Sequence, residues 1–313
     1  MDAVKRIGAM LGAFTIWGLS PVFYKLLDHV PPLEVLSHRT LWSGVFFGAL
    51  LMLQGRLGAV WALLAQWSGL RVVLLASVMI SVNWFFFIYA IQVGRTVETS
   101  LGYYIYPLVS VLFGMLFFAE RLSPISLLAV VLAALAVAVL TVGLGAAPWM
   151  SLVLAVSFAI YGVIKKRAVA GPVVSVTAEV MLLVPLAAVW LLGVHLAGWS
   201  GLTGRTLGAF GGSLSDSLLL MLAGPLTATP LILFSYASRR VSMATIGLVQ
   251  YLNPTLQFLI ATLIFFEPFT PWHTVAFPLI WAAVLLYSLD LMRQERASRR
   301  ASVRAATDSA TPM

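Results

Sequence analysis

The side chains of this sequence that could take part in chemistry are a few charged groups inside long apolar segments. Arg39 lies inside the apolar segment 33–53, and Glu179 lies inside the segment 172–194. A charge at membrane depth is costly and usually faces a partner, a cavity or a pathway for ions or solutes. Arg39 is therefore a candidate contact for a charged ligand group, and Glu179 is a candidate carrier of a proton. A structural pairing of Glu179 with Lys165 explains the same pattern equally well.

Other ionisable side chains are expected to lie with Arg39 at one end of the helices. They are Lys25, Glu34, His38 and Glu98. His38 is one helical turn from Glu34 and therefore shares its face. In the functional interpretation, this outer cluster is an ion-paired gate or a contact for a charged ligand. In the structural interpretation, Lys25 extends to the surface and Arg39 forms a bridge with a glutamate.

Amide side chains at membrane depth and two tryptophans form a second set of candidates. The amides are Asn83, Gln92, Gln250, Asn253 and Gln257. Hydrogen bonds between membrane helices are common, so we expect only about half of these amides to face a cavity. Trp17 and Trp84 lie in the middle of apolar segments and are expected to line that cavity. Aromatic residues at the ends of segments more often belong to interfacial belts.

Two phrases that combine tyrosine and proline repeat each other along the chain. They are LGYYIYP at 101–107 and GLVQYLNP at 247–254. At an offset of 147 residues, Tyr104 falls on Tyr251 and Pro107 falls on Pro254. Proline removes a backbone donor, so both phrases predict a helix break whose free carbonyls need a protein partner or a water-filled cavity. Tyr103, Tyr104 or Tyr106 could place a hydroxyl beside that cavity, although not all three can face it at once. Tyr104 is the strongest candidate because Tyr251 repeats it, so we expect Tyr104 and Tyr251 to lie there.

The same offset extends beyond these two phrases. Glu120 falls on Glu267, and each of these glutamates precedes a proline that begins the next helix. A carboxylate near a helix N-terminus is electrostatically favourable, so we expect a structural role for both. The earlier segments align less well, at an offset of 140 residues, which places Arg39 on Glu179.

The composition indicates a membrane protein. Of the 313 residues, 61% are hydrophobic and 10% are charged, whereas a soluble domain is about 45–50% apolar and about 25% charged. We therefore expect an all-α fold that is integral to the membrane. The net charge of +8 comes from short loops and a basic tail, which is typical of membrane topology and not of nucleic-acid binding. The absence of cysteine excludes disulfides and thiolate metal sites.

Ten apolar segments are long enough to cross a bilayer as helices. They run approximately over 7–27, 33–53, 70–92, 97–118, 124–144, 148–165, 172–194, 216–238, 241–266 and 272–291. The first is too long for the core of a signal peptide and is expected to be retained. Lysine and arginine collect in alternate loops and in the tail, whereas the opposite loops hold only Arg95 and Arg205. Positive loops stay cytoplasmic, so both termini are predicted to be cytoplasmic, in a bacterial-type inner (plasma) membrane.

The repeat divides the chain into three parts. Residues 1–145 and 146–292 are predicted to be two five-helix repeats, and residues 293–313 a basic cytoplasmic tail that is partly disordered. Because five is odd, the second repeat enters the membrane from the opposite side. Inverted repeats are the architecture of many secondary transporters, which bind substrate near the midplane where the two repeats meet.

Phrases spread over nearly the whole chain are similar to one known family. They include WGLSPVFYK at 17–25, PLEVLSHRTLWS at 32–43, ETSLGYYIYPLVSVLFG at 98–114 and GLVQYLNPTLQFL at 247–259. The chain resembles the drug/metabolite transporter (DMT) superfamily, of the ten-helix EamA-domain type, and within it the RarD branch. Tyr106 stands where the family pattern has asparagine, and Asn253 stands where it has alanine.

The resemblance implies two inverted five-helix repeats around a central cavity. It also implies that a small metabolite or drug-like molecule is moved by alternating access, often as efflux. Substrates differ across the superfamily, and amino acids or amphiphilic compounds are candidates here. The expected partners are the lipid bilayer and a small-molecule substrate, with proton coupling as a hypothesis, no cofactor, and a monomer or homodimer as the assembly.

Other functions have less support in the sequence. An enzyme would need a convergent catalytic set, but the four histidines form no H-x-x-x-H pair, the aspartates are isolated and no phosphate-binding loop occurs. We therefore expect neither enzymatic activity nor a metal site. A passive facilitator or channel remains the alternative to coupled transport, and the two differ in saturation and substrate exchange. A purely structural membrane protein would have no reason to keep charges within its paired segments.

Overall fold

The computed structural model describes residues 2–118, 123–166, 170–199, 208–238 and 243–309. Within these residues the chain is helical, and the only β-type pairing is an isolated bridge between Phe210 and Ser213. The helices are α1 (Asp2–Lys25), α2 (Pro32–Leu53), α3 (Leu57–Ala65), α4 (Trp67–Gln92), α5 (Thr96–Phe118), α6 (Pro124–Leu144), α7 (Trp149–Lys165), α8 (Pro172–Leu196), α9 (Leu214–Ser238), α10 (Met243–Val249), α11 (Leu252–Leu259) and α12 (Pro271–Ser309). A π-helical turn, Ile260–Ile264, follows α11. The predicted all-α fold class is confirmed.

Helix boundaries follow local signals in the sequence. Proline occupies the first position of several helices, where its missing N–H has no intrahelical partner to lose. These prolines are Pro32, Pro124, Pro172 and Pro271. Helix α6 ends at Gly145, whose φ of 67° is the left-handed conformation that glycine adopts most easily. Each predicted apolar segment therefore coincides with helix to within a few residues, although the ninth is divided into α10, α11 and the π-helical turn.

Seven of the described helices are long and apolar enough to cross a membrane. They are α1, α4, α5, α6, α8, α9 and α12. Helix α2 adds an eighth span when it is taken together with α3, which bends away from it by 112°. Helix α7 is shorter, with 17 residues. The structure thus supports a multi-pass helical membrane protein, while the count of ten spans stays a prediction.

Two segments differ from the sequence-based expectation. The loop between the second and third predicted spans contains α3, an apolar helix whose Trp61 is exposed, as is Trp67 just beyond it. Tryptophan is enriched at membrane interfaces, so its two exposed rings are consistent with a helix that lies along an interface. In addition, α12 continues to Ser309, so residues 293–309 are helical where a partly disordered tail was expected. The alanines and arginines of this tail are strong helix formers.

The two tyrosine–proline phrases fold differently from each other, and the predicted break at Pro107 is wrong. Helix α5 runs without interruption from Thr96 to Phe118 and contains Pro107 in its interior. A buried membrane helix tolerates one lost hydrogen bond when neighbouring helices hold it in place. In the second phrase, α10 ends at Val249 and α11 begins at Leu252. The helix is therefore interrupted just before Pro254, which lies in the first turn of α11.

Small residues allow the helices around the centre of the molecule to approach closely. A Cβ atom at Gly102 of α5 would lie 2.9 Å from the carbonyl oxygen of Ser151 on α7. A Cβ atom at Gly224 of α9 would lie 2.5 Å from the backbone of Trp42 on α2. Close contact through small residues is the usual way in which membrane helices pack. Helices α6 and α12 pack on each other at the side, away from the cavity described below.

Candidate substrate cavity

A cavity of about 370 Å³ lies between the helices and is lined by residues from both halves of the chain. Its volume is within the range of about 300–1,000 Å³ that is usual for small-molecule sites. Several of the sequence-predicted site residues line it: Trp17, Arg39, Asn83, Trp84, Gln250, Asn253 and Pro254. Gln257, one of the candidate amides, lines it as well. These side chains come from α1, α2, α4, the break before α11, and α11 itself.

Arg39 is the most unusual side chain of this cavity. Its side chain is buried, and its Nε donates a hydrogen bond to Oγ1 of Thr227 at 2.8 Å. The guanidinium carbon lies 4.1 Å from the centre of the Trp84 ring, which is a cation–π contact. Its Nη1 is buried and has no hydrogen-bond partner among the described residues. None of the described ion pairs includes Arg39.

Asn83 joins three helices at the wall of the cavity. Its Nδ2 donates to the carbonyl oxygen of Leu154 at 2.9 Å and to Oγ of Ser157 at 3.1 Å, both on α7. Its Oδ1 accepts a hydrogen bond from the Tyr103 hydroxyl of α5 at 3.0 Å. The two interpretations offered by the sequence, cavity contact and interhelical hydrogen bonding, therefore apply to this residue together.

A second cation, Lys165, lies at the other end of the cavity and is fully paired. Its Nζ is 2.5 Å from Oε1 of Glu179. The same carboxylate accepts hydrogen bonds from the Tyr161 hydroxyl at 3.0 Å and from the Ser175 hydroxyl at 3.1 Å. Tyr161 and Lys165 line the cavity, whereas Glu179 lies behind them and is buried. Glu179 is thus separated from the cavity by Tyr161 and Lys165, which it binds.

The expected outer cluster does not assemble around Arg39. Lys25 pairs with Asp28 at 3.1 Å, and Glu98 pairs with Arg95. Of these, neither Lys25 nor Glu98 lines the cavity. The prediction failed because residues at one depth in a helical bundle can still project from different faces, and each of these glutamate and lysine side chains finds a partner three residues away along its own chain.

Glu34 and His38 form a separate group near the start of α2. The Glu34 carboxylate accepts hydrogen bonds from the backbone N–H groups of Gly208 at 3.0 Å and Ala209 at 2.8 Å. His38 is buried and stacks on Phe210 at 4.8 Å, and neither of its ring nitrogens has a partner among the described residues. Neither side chain lines the cavity.

The structure brings His195 to this group, a proximity that the sequence analysis did not anticipate. The ligand atoms of Glu34, His38 and His195 all lie within 4.8 Å of one another. Two imidazoles and a carboxylate are a donor set that suits divalent transition metals, and these are the described residues that could hold one. Sequence spacing could not indicate this group, since His195 is far along the chain at the end of α8.

Tyr104 and Tyr251 do not line the cavity, but they do lie together. Their rings stack with centres 6.2 Å apart. The Tyr104 hydroxyl also forms a 2.7 Å hydrogen bond with Oγ1 of Thr255. Pro107 is likewise absent from the cavity lining. The tyrosines that do line it are Tyr24, Tyr103, Tyr106 and Tyr161.

Apart from Trp17 and Trp84, the aromatic part of the lining was hard to recognise in the sequence. Phe14, Trp17 and Phe234 contact one another at one end, and Tyr106 packs against Phe158 at 4.7 Å. Phenylalanine and tyrosine are common throughout an apolar chain, so composition could not separate cavity residues from lipid-facing ones. Mid-segment position singled out Trp17 and Trp84, and a second signal was the departure from the family pattern at Tyr106 and Asn253, which also line the cavity.

Hydrogen bonds tie the helix ends near Lys25 and Gln92 to the neighbouring loop and helix. Gln92 donates through Nε2 to the carbonyl oxygens of Leu27 at 2.9 Å and Val30 at 3.0 Å. Glu267 accepts hydrogen bonds from the backbone N–H groups of Thr96 at 2.7 Å and Val97 at 2.8 Å, at the start of α5.

Glu267 therefore acts as a helix cap, although for α5 and not for the helix that follows it in the chain. The preceding residue, Phe266, has a φ of 52° and turns the chain so that the carboxylate reaches α5. Donors at a helix N-terminus have no intrahelical partner, and a carboxylate satisfies two of them here. The structural role expected for Glu267 is consistent with these contacts. Glu120, its counterpart in the repeat, lies outside the described residues.

Comparison with known proteins places the chain among membrane transporters. A model of the EamA-like transporter family matches residues 5–142. An uncharacterized transporter of Pseudomonas aeruginosa is 43% identical over 294 residues, which cover 93% of this chain and 96% of that protein. Protein RarD of Streptomyces exfoliatus is 40% identical over 311 residues, which cover 98% of this chain and 96% of that protein.

A solved crystal structure has a similar fold, with a TM-score of 0.59 at 19% identity, covering 93% of this chain and 99% of that chain. The long apolar helices and the bacterial relatives together indicate a multi-pass protein of the inner (plasma) membrane. The resemblance seen in the sequence phrases is thus confirmed. The chain belongs to the EamA-like transporter family of the drug/metabolite transporter superfamily, in its RarD-like branch.

Proposed function

We propose that this protein is a secondary transporter that moves a small metabolite or drug-like molecule by alternating access, in the direction of export. The observation that carries the proposal is the cavity of about 370 Å³, lined from both halves of the chain and containing a buried arginine. A buried charge inside a membrane protein marks a substrate or ion pathway more often than a structural feature. The EamA-like family supports transport as the activity.

We further propose that ten helices cross the membrane as two inverted five-helix repeats. The packing supports this arrangement, because α1 packs on α9 while their counterparts α7 and α4 also pack on each other. Tyr104 and Tyr251, which are equivalent under the offset of 147 residues, meet by stacking. Equivalent residues meet in this way when they lie near the axis that relates two repeats. A binding site between such repeats is typical of secondary transporters.

The two ends of the cavity support alternating access. The lining extends to Lys165 and Pro172, at the helix ends that the distribution of lysine and arginine predicts to be cytoplasmic. At the opposite ends, Glu34, Gln92 and Glu267 tie helices and loops together. We interpret this arrangement as a state that exchanges substrate with the cytoplasm and is closed outside, which suits loading for export. The outer contacts would break in the opposite state.

A screen followed by a flux assay tests the proposal. Purified protein is first heated with amino acids, sugars and amphiphilic drugs, and compounds that raise the unfolding temperature are selected. Counterflow of a selected compound is then measured in proteoliposomes. A transporter gives saturable flux and accelerated exchange by substrate on the opposite side. Flux that rises without saturation, with no counterflow, would instead identify a channel, which is the alternative function.

Proton coupling is a separate hypothesis that rests on Glu179. We expect an imposed pH gradient to drive accumulation of the substrate by the wild type and not by Glu179→Gln, which cannot carry the proton. The measurement is uptake in proteoliposomes with and without the gradient. If wild-type transport ignores the gradient, the protein is a facilitator, and the pairing of Glu179 with Lys165 is then purely structural.

A further inference from the structure

We infer that the cavity binds an organic carboxylate with an aromatic or otherwise apolar body, whose negative charge is held by Arg39. This inference rests on the proposed function, because it names the substrate class of the same cavity. The first observation is the charge balance of the lining. Among the described lining residues there are two cations, Arg39 and Lys165, and no aspartate or glutamate. Lys165 is neutralised by Glu179 behind it, so one positive charge in the cavity stays unbalanced.

The geometry of Arg39 shows how an anion would bind. Arginine has five N–H donors, and within the part of the chain that the structure describes Nε is the one with an assigned acceptor, Thr227. The hydrogen bond from Nε and the contact with the Trp84 ring hold the guanidinium plane in position. A planar fork that is fixed in this way matches a carboxylate through two parallel hydrogen bonds. The unpartnered Nη1 is a donor that such a ligand would satisfy.

The remaining lining indicates the body of the ligand. Aromatic rings surround the space next to Arg39, including Tyr24, Trp84, Phe87 and Tyr103. Rings of this kind pack favourably on flat apolar groups. The few amides of the lining offer hydrogen bonds but no charge. A cationic drug would bring a second positive charge beside Arg39 with no carboxylate in the described lining to offset it, so cations are disfavoured.

The experiment compares three probes of nearly the same shape on the full-length protein in detergent micelles. They are phenylacetate, phenylacetamide and phenethylamine, which differ mainly in charge. Binding is measured by isothermal titration calorimetry. We expect phenylacetate to bind about 10-fold or more tightly than the amide, because hydrogen bonds to a charged partner are stronger than neutral ones. Phenethylamine is expected to bind more weakly than the amide.

Variants test whether Arg39 is responsible for this preference. Arg39→Gln is expected to bind phenylacetate and phenylacetamide equally. Arg39→Lys keeps a cation without the fork and is expected to retain part of the preference. The matched control is Arg95→Gln, which removes an arginine that pairs with Glu98 outside the cavity and should leave the preference unchanged. If Arg39→Gln does not fold, Thr227→Val provides the test, since it removes the acceptor that orients Nε and should reduce the preference several-fold.

Several results would overturn the inference. They are equal binding of phenylacetate and phenylacetamide by the wild type, preferential binding of phenethylamine, a preference that survives in Arg39→Gln, and no binding of phenylacetate at millimolar concentration. Failure of the proposed transport activity would look different. In that case phenylacetate would bind with the expected preference but would show no counterflow in proteoliposomes. Conversely, counterflow of neutral or cationic compounds without binding of phenylacetate would leave transport standing and reject the carboxylate.

Discussion

Arg39 and Lys165 are two cations that line one cavity, and their surroundings differ: Arg39 is buried, whereas the Lys165 side chain is partly exposed. Lys165 lies 2.5 Å from Glu179, which also accepts hydrogen bonds from Tyr161 and Ser175. Arg39 has a hydroxyl and aromatic rings around it, and no carboxylate among the described residues. The charge of Lys165 is thus satisfied by the fold. The charge of Arg39 is satisfied only in part by the protein, which is why we propose that it binds the negative charge of the ligand.

Removing the carboxylate of Glu179 should have the largest effect on stability. We expect Glu179→Ala to lower the free energy of unfolding by about 3–5 kcal/mol, since it leaves the Lys165 charge uncompensated inside the protein. The measurement is SDS-induced unfolding in mixed micelles. The control is the double variant Lys165→Met with Glu179→Met, which removes both charges and should recover most of the loss. A double variant as unstable as Glu179→Ala would contradict the idea that the unpaired charge is the cause.

Two matched tyrosine variants, one at each end of the cavity, should lower the free energy of unfolding by different amounts, both smaller than the loss expected for Glu179→Ala. Tyr161→Phe removes a hydrogen bond to the charged Glu179 and should cost about 1.5–3 kcal/mol of unfolding free energy. Tyr103→Phe removes a hydrogen bond to the neutral amide of Asn83 and should cost about 0.5–1.5 kcal/mol. Both variants are measured by the same unfolding assay. Equal losses would mean that the charge of Glu179 adds nothing to its hydrogen bonds.

Removing Arg39 should have the smallest effect on stability and a complete effect on transport. Arg39→Ala loses a hydrogen bond and a ring contact but also removes a buried charge with no carboxylate partner. We therefore expect its unfolding free energy to stay within about 1 kcal/mol of the wild type. Counterflow of a compound selected by the stabilisation screen, measured in proteoliposomes, is expected to fall to the level of empty vesicles. Unchanged transport kinetics would reject Arg39 as a substrate contact, and a loss of stability as large as that of Glu179→Ala would show that the two ends are alike.

The sequence predicted elements better than it predicted contacts. Proline and glycine located the helix ends, and charge at membrane depth singled out Arg39, which lies in the lining of the cavity. The same reasoning placed Glu98 beside Arg39, but Glu98 pairs with Arg95, three residues away. Depth along a helix can be counted in the sequence, whereas the direction in which a side chain projects depends on how the helices are rotated against each other. For this reason the outer cluster was wrong.

The two proline phrases show a similar limit. LGYYIYP and GLVQYLNP look equivalent in sequence, yet α5 continues through Pro107 while the chain breaks before Pro254. A single proline costs a helix one hydrogen bond and some strain, an amount that packing of neighbouring helices can offset. The local sequence determines the free-energy cost of a proline in a helix, but packing against neighbouring helices determines whether the helix is interrupted there.

By itself, the sequence determined that this chain is an all-helical membrane protein, roughly where its helices begin and end, and to which family it belongs. Those properties follow from the amino-acid composition, from the positions of proline and glycine, and from short motifs that can be compared along the chain. Only the tertiary structure decided how each charge is satisfied. It shows Glu179 paired with Lys165, one of the two roles that the sequence left open, and it places the Glu34 carboxylate on the backbone N–H of Gly208. Pairing depends on distances between segments that are remote in the chain, and it is this pairing that leaves Arg39 available in the cavity.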